Sequence, residues 1–159
     1  MDTGTTAFML CCIIGLTLMI PGLALFYGGM VSVKSSTNMM MMTFGAVAIV
    51  GVLWVLFGFS MVFGTSYGGF LGNLTEFAGM KDLLETQTTV SGLPVSLFSV
   101  FQALFAAITV ALISGAVADR MKFGAWMGFA TLWAVLVYFP VAHWVFAFDG
   151  VVTENSVGG

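Results

Sequence analysis

Four long apolar stretches, separated by segments that carry the charged residues, dominate the pattern of this chain. A helix that crosses a bilayer needs about 20 mostly apolar residues, and each stretch is long enough. We predict spanning helices over about residues 6–29, 40–64, 95–118 and 123–148. Helices are favoured over isolated strands because backbone groups in hydrocarbon must be satisfied internally. The predicted fold class is all-α, a polytopic membrane helix bundle forming one domain, residues 1–159.

The composition agrees with a membrane protein. Hydrophobic residues make up 60% of the chain and charged residues 7%, against about 25% charged in a typical soluble domain. Four Lys and Arg residues cannot form a phosphate-binding face, so nucleic acid is excluded as a partner. The N-terminus "MDTGTTAFML" lacks the positive segment of a signal peptide, so we expect the first apolar stretch to be a permanent span.

The distribution of positive charge predicts an orientation. Lys34 lies in the connection between the first two stretches, and Arg120 and Lys122 lie in the short connection before the fourth. The long connection between the second and third stretches and the C-terminal tail are mainly acidic. Cytoplasmic connections are enriched in Lys and Arg. We therefore expect a multi-pass protein with its N-terminus outside.

The predicted spans contain no Asp, Glu, Lys or Arg, and the chain has one histidine, His143. Intramembrane ionisable residues usually mark proton or ion routes. Their absence argues against a carboxylate-driven pump and against an enzyme with paired acids. A single histidine cannot form a metal cluster, and the adjacent Cys11 and Cys12 are an unlikely metal pair or disulfide. We expect no enzymatic activity, no metal and no cofactor.

One face of the third predicted helix is a candidate lining for a narrow route. Phe101, Phe105 and Leu112 fall within about 40° of one another at 100° per residue. Two polar side chains flank this ridge on one side, and a stripe of small residues that allows close helix packing lies on the other; these residues are Gln102 and Thr109, and Ala107, Ala111 and Gly115. The competing interpretation is that such phenylalanines serve packing or lipid contact.

Two further patterns concern the shape and packing of the helices. Pro21 and Gly22 are expected to kink or loosen the first span. Gly124 and Gly128 form a GxxxG pair in the fourth predicted helix, which predicts close packing against another helix.

Three motifs in this order resemble the ammonium transporter (Amt/Mep/Rh) family: "IPGLALFYGGMV" at 20–31, "FQALFAAITVALISGAVADRMKF" at 101–123 and "YFPVAHWVFAFDG" at 138–150. The resemblance implies an eleven-helix subunit built from two inverted repeats and assembled as a homotrimer in the plasma membrane. This chain would then be the N-terminal portion with the first four helices, and its ending "NSVGG" is expected to be a fragment boundary.

The resemblance also implies a substrate and a site. Ammonium or methylammonium would be captured outside by aromatic side chains, lose a proton, and cross a hydrophobic pore. The matching positions are Phe101 and Phe105, with Phe105 also a gate, and Phe146, where the family commonly has a tryptophan. Phenylalanine is a weaker cation–π partner than tryptophan. Phe26 and Tyr27 are implied as pore-lining residues, and Leu112 joins them because it lies on the same ridge.

The resemblance places the pore histidines and the functional aspartate in later helices. His143 is therefore predicted to be a hydrogen-bonded structural histidine, and Asp149 a solvated loop acid. The full-length protein would meet a PII-type signalling protein on its cytoplasmic side. The alternative function is a non-conducting four-helix scaffold or assembly subunit in the lipid bilayer.

Overall fold

A computed structural model describes residues 2–67, 71–81, 83 and 92–146 and contains four long helices in this part of the chain. The first span is the single helix α1 (Thr3–Met30). The third span consists of α4 (Val95–Ile113) and a closing 3₁₀ turn, Ser114–Val117. All four spans are long and apolar enough to cross a membrane. The predicted all-α membrane bundle is confirmed.

The second and fourth spans share an unusual construction, in which a π-helical segment interrupts the α-helix. In the second span, α2 (Val33–Leu53) is followed by the π segment Trp54–Gly58 and by α3 (Phe59–Phe63). The fourth span contains, in order, α5, a π segment and α6; their bounds are Phe123–Trp133, Ala134–Tyr138 and Phe139–Phe146.

The segment between the second and third spans contains a short hairpin. Strand β1 (Ser66–Tyr67) pairs antiparallel with β2 (Leu71–Gly72), and a 3₁₀ turn follows at Ala78–Met80. The hairpin and this turn contact α3 at the C-terminal end of the second span. They form a small cap over the bundle.

The predicted start of the second helix, residue 40, was wrong. The helix begins at Val33 and therefore includes the polar turns around Lys34 and Asn38. Hydropathy marks only the part of a helix inside hydrocarbon, and this helix continues beyond that part. The fourth span is described to Phe146, so its predicted last turn and Asp149 lie outside the described residues.

Helix α1 also begins earlier than predicted, because Asp2 caps it. The Thr5 backbone N–H donates to Asp2 Oδ2 at 2.8 Å, and the Thr5 hydroxyl donates to the same oxygen. These hydrogen bonds, the side-chain one foremost, lower the pKa of Asp2 below its usual range. Pro21 lies inside α1 and does not end it.

The second span is central, since α2 contacts α1, α4 and α5. Two residues of the predicted small stripe, Ala107 and Ala111, are buried. The third, Gly115, lies against the first span, where a Cβ would be 3.0 Å from Cζ of Tyr27. The prediction for Gly124 and Gly128 was wrong within the described bundle, because both are exposed and a Cβ at either would meet nothing within 4 Å.

The π segments match a change in the spacing of buried residues. In the fourth span the buried positions Trp126, Ala130, Ala134, Phe139 and His143 step by four, four, five and four. A five-residue step on an α-helix would rotate the following residues by about 100° relative to a four-residue step. The wider π turn absorbs the extra residue, so the buried residues in the C-terminal half of the span still face the core. The second span has the same steps at Ala46, Val50, Trp54, Phe59 and Phe63.

Gly72 is the tightest point of the hairpin, and we expect Gly72→Ala to destabilise the chain. A Cβ there would lie 2.7 Å from the carbonyl oxygens of Met61 and Ser60, which cannot move without distorting the helix end. Overpacking of this kind costs about 1–3 kcal/mol. Thermal unfolding in detergent micelles measures the loss. The matched control is Gly51→Ala, where a Cβ meets nothing within 4 Å; equal melting temperatures for both variants would contradict the prediction.

Candidate functional site

The predicted aromatic pair lies on one face of the third span, with Phe105 exposed and Phe101 half-buried. The rings of Phe101 and Phe105 lie edge to face, with centroids 4.9 Å apart and an interplanar angle of 66°. Phe105 is 42% exposed and Leu112, seven residues later on α4, is 43% exposed. Residues spaced by four and seven share one helix face. The ridge therefore points away from the core formed by the described residues.

A groove of about 260 Å³ lies beside this ridge, between the third and fourth spans. Thr109, one turn beyond Phe105, lines it from the third span, and Phe146 lines it from the fourth. The remaining lining comes from six residues of the fourth span: Trp133, Val137, Tyr138, Val141, Ala142 and Val145. The predicted residue Phe146 thus shares this groove with Thr109, whereas Phe101 and Phe105 are not among the residues that line it.

The hydroxyl of Thr109 does not make the groove polar. It donates to the backbone carbonyl of Phe105 at 2.7 Å and also has a side-chain hydrogen bond with Tyr138 across the groove, so it already has partners within the protein. The side chains around the groove are otherwise aliphatic or aromatic. Moving a charged solute into this groove would cost much solvation free energy, and moving a small neutral molecule there would cost far less.

The predicted pore-lining residues Phe26 and Tyr27 lie near the end of the ridge that carries Leu112. The Tyr27 hydroxyl donates to the carbonyl of Leu112 at 3.2 Å, and the rings of Phe26 and Tyr27 are 5.9 Å apart. Tyr27 lines a second cavity of about 170 Å³ at the ends of the first and third spans, with Met30, Val31, Met39, Gly115 and Ala118. Phe26 is exposed and is not among the residues lining that cavity. Of the two neighbouring rings, only that of Tyr27 therefore lines this cavity.

His143 is buried and hydrogen-bonded through both ring nitrogens, as predicted. Nδ1 lies 2.7 Å from the carbonyl oxygen of Val62, and Nε2 lies 3.2 Å from Oγ of Ser66. A carbonyl can only accept a hydrogen bond, so Nδ1 carries a proton, and Nε2 shares its hydrogen bond with the serine hydroxyl. Within the described part of the chain, no group of three or more His, Cys, Asp or Glu residues could hold a metal ion.

Sequence reasoning missed the face of the fourth span that lines the groove. Trp133, Val137, Val141 and Val145 recur every four residues, a spacing that places residues on one side of a helix. This pattern would have identified the face. It was overlooked because an apolar stripe in a membrane helix is usually packing or lipid contact.

Four long apolar spans, with an apolar groove between the third and the fourth, define a multi-pass membrane protein. The Ammonium Transporter Family model matches residues 7–157, and the chain therefore belongs to the ammonium transporter family. This is a family of transporters, so the expectation that the chain is not an enzyme is confirmed.

Relatives and solved structures agree with this membership. The chain is 52% identical to an ammonium transporter of Mycobacterium tuberculosis, over 98% of this chain and 36% of the relative. It is 48% identical to an ammonium transporter of Bacillus subtilis, over 91% of this chain and 36% of the relative. The crystal structure of Saccharomyces cerevisiae Mep2 superposes with a TM-score of 0.74 at 32% identity, covering 94% of this chain and 33% of that one. The chain thus spans about a third of the length of these proteins and matches their N-terminal part.

Proposed function

We propose that this chain supplies the outer capture site and one wall of the conduction route of an ammonium transporter. The observation that carries the proposal is the edge-to-face pair of half-buried Phe101 and exposed Phe105, next to an apolar groove that Phe146 lines from the fourth span. Ammonium or methylammonium would be held over these aromatic faces. A cation gains about 0.5–2 kcal/mol from such a contact, and no carboxylate is required.

Passage beyond the aromatic residues would require loss of a proton. Moving an isolated ion into an apolar medium costs tens of kcal/mol by simple solvation arguments, and the groove beside Thr109 is apolar. Neutral ammonia does not meet that barrier. Tyr27 and Leu112 would line the inner part of the route, with Phe26 near its wall.

The orientation and assembly are part of the same proposal. Phe101 and Phe146 lie at the end of the bundle that also holds the N-terminus of α1, whereas Lys34, Arg120 and Lys122 lie at the other end. The positive-inside tendency supports an N-terminus outside the plasma membrane. Family resemblance supports a homotrimer, and a PII-type partner on the cytoplasmic side of the full-length protein.

The test uses a hybrid transporter, defined as this chain followed by the C-terminal part of the M. tuberculosis relative. In proteoliposomes we expect saturable methylammonium uptake that ammonium inhibits and equimolar potassium does not. The 159-residue chain alone should give no saturable uptake, because Phe105 and Phe146 are exposed and the groove between the third and fourth spans is open on one side. Saturable uptake by the chain alone would contradict this. A correctly assembled hybrid without any ammonium response would favour the non-conducting scaffold.

A further inference from the structure

The last described turn of the fourth span carries Phe146, and one residue in it is buried. His143 is 4% exposed, whereas Trp144, Val145 and Phe146 are all more than 40% exposed. The direction of the Phe146 ring therefore depends on what holds this turn against the bundle. Because Phe146 follows His143 by three residues, nearly one helical turn, any rotation at His143 is passed on to Phe146.

The imidazole of His143 joins three elements at the outer end of the bundle. Val62 lies in the last turn of α3, which ends at Phe63, and carbonyls at a helix C-terminus lack an intrahelical N–H partner. Nδ1–H of His143 supplies that partner at 2.7 Å. Nε2 shares a hydrogen bond with the Ser66 hydroxyl of β1 at 3.2 Å. One side chain thus connects α6 to the end of the second span and to the hairpin.

The π segment Ala134–Tyr138 directs His143 toward Val62. The five-residue step from Ala134 to Phe139 keeps Phe139 in the core, where its ring lies 5.9 Å from that of Trp54 and its edge fills the space above Gly58. His143 follows Phe139 by four residues and lies on the same face. Phe139 and His143, on two successive turns, thereby fix the rotation of this half of the span about its axis.

We propose that His143 is a positioning residue of the outer aromatic site, which orients Phe146 through the hydrogen bond from Nδ1–H to the Val62 carbonyl. The inference rests on the proposed function of that site. His143 itself does not touch the substrate, since its ring is buried and both nitrogens have protein partners. Its contribution is to hold Phe146 where a small cation over Phe105 meets a second aromatic face.

Three variants in the hybrid transporter separate the two hydrogen bonds. An asparagine amide N–H can occupy the place of Nδ1–H, so His143→Asn should keep the half-saturation concentration for methylammonium near that of the wild type. His143→Gln reaches toward Ser66 instead, and His143→Leu makes neither bond. We expect both to raise the half-saturation concentration several-fold with little change in maximal uptake.

A double-mutant cycle distinguishes positioning from general stabilisation. In a Phe146→Ala background, His143→Gln should cause no further rise in the half-saturation concentration, while its effect on melting temperature persists. An equal rise in both backgrounds would overturn the proposal, as would an unchanged half-saturation concentration in His143→Gln. Absence of uptake by the unmodified hybrid would instead overturn the proposed function, and the role of His143 with it.

Discussion

Phe105→Ala in the hybrid transporter is expected to weaken capture of methylammonium and to reduce discrimination against potassium. Phe105 is exposed beside the groove and forms an edge-to-face pair with Phe101. Its removal leaves Phe101 without its ring partner and opens the position above Thr109. A lost cation–π contact of about 0.5–2 kcal/mol corresponds to roughly 2- to 30-fold in affinity.

Two control variants make this experiment specific. Phe105→Leu keeps an apolar side chain at the gate but removes the π face, so it should lose affinity while excluding potassium better than alanine does. Phe8→Ala removes an exposed ring elsewhere on the first span and should leave half-saturation unchanged. Uptake and selectivity like those of the wild type in Phe105→Ala would refute both the capture role and the gate role.

The pairing of Phe101 with Phe105 could be predicted because both residues lie on one helix. Spacing by four residues places two side chains on one face whatever surrounds the helix. The ridge followed from this local periodicity, and the four spans followed from the length of the apolar stretches. The start of the second span did not, because the helix continues through polar residues that hydropathy assigns to a connection.

The partner of His143 could not be predicted. Val62 precedes it by 81 residues, and the accepting group is a backbone carbonyl, which has no signature in the sequence. Predicting the contact requires knowing that α3 ends at Phe63 and that α6 crosses that end. The residue type indicated only that a buried histidine would find hydrogen-bond partners.

The π segments could be predicted from the sequence only in part. The sequence around Ala134–Tyr138 contains no residue that forces a π turn, and Pro140 lies just after it. The signal is a five-residue step between buried positions, visible only once those positions are known. The same step in the second span, at Trp54–Gly58, lets the two interrupted helices meet where Phe139 packs against Gly58. Two local irregularities thus preserve one continuous core.

Two hydrogen bonds in the described part of the chain hold the fourth span to the second. At the inner half, Nε1 of Trp126 donates to the Met42 carbonyl at 2.8 Å. At the outer half, His143 donates to Val62 at 2.7 Å. Each bond joins a side chain of one span to the backbone of the other, which fixes both the rotation and the height of the fourth span. The inner point should govern stability, and the outer point should govern the aromatic site.

Trp126→Ala is therefore expected to cause a large loss of stability without a specific loss of affinity. The Trp126 side chain is fully buried, and truncating a buried tryptophan costs about 3–5 kcal/mol in lost contacts and residual cavity. Trp126→Phe retains most of the volume and should cost less, since Met42 can still accept a bond within its own helix. Thermal unfolding in detergent micelles ranks the two variants, with Leu132→Ala, at an exposed position on the same helix, as the control.

The uptake assay then distinguishes the role of Trp126 from that of His143. Trp126 precedes Phe146 by 20 residues, roughly 30 Å along a helix, so transporters that still fold with Trp126→Phe should show the half-saturation concentration of the wild type. His143→Gln should show the opposite result, with a raised half-saturation concentration and a smaller loss of stability. If Trp126→Phe raised the half-saturation concentration as much as His143→Gln, the span would respond as one rigid unit, and the assignment of separate roles to its two ends would fail.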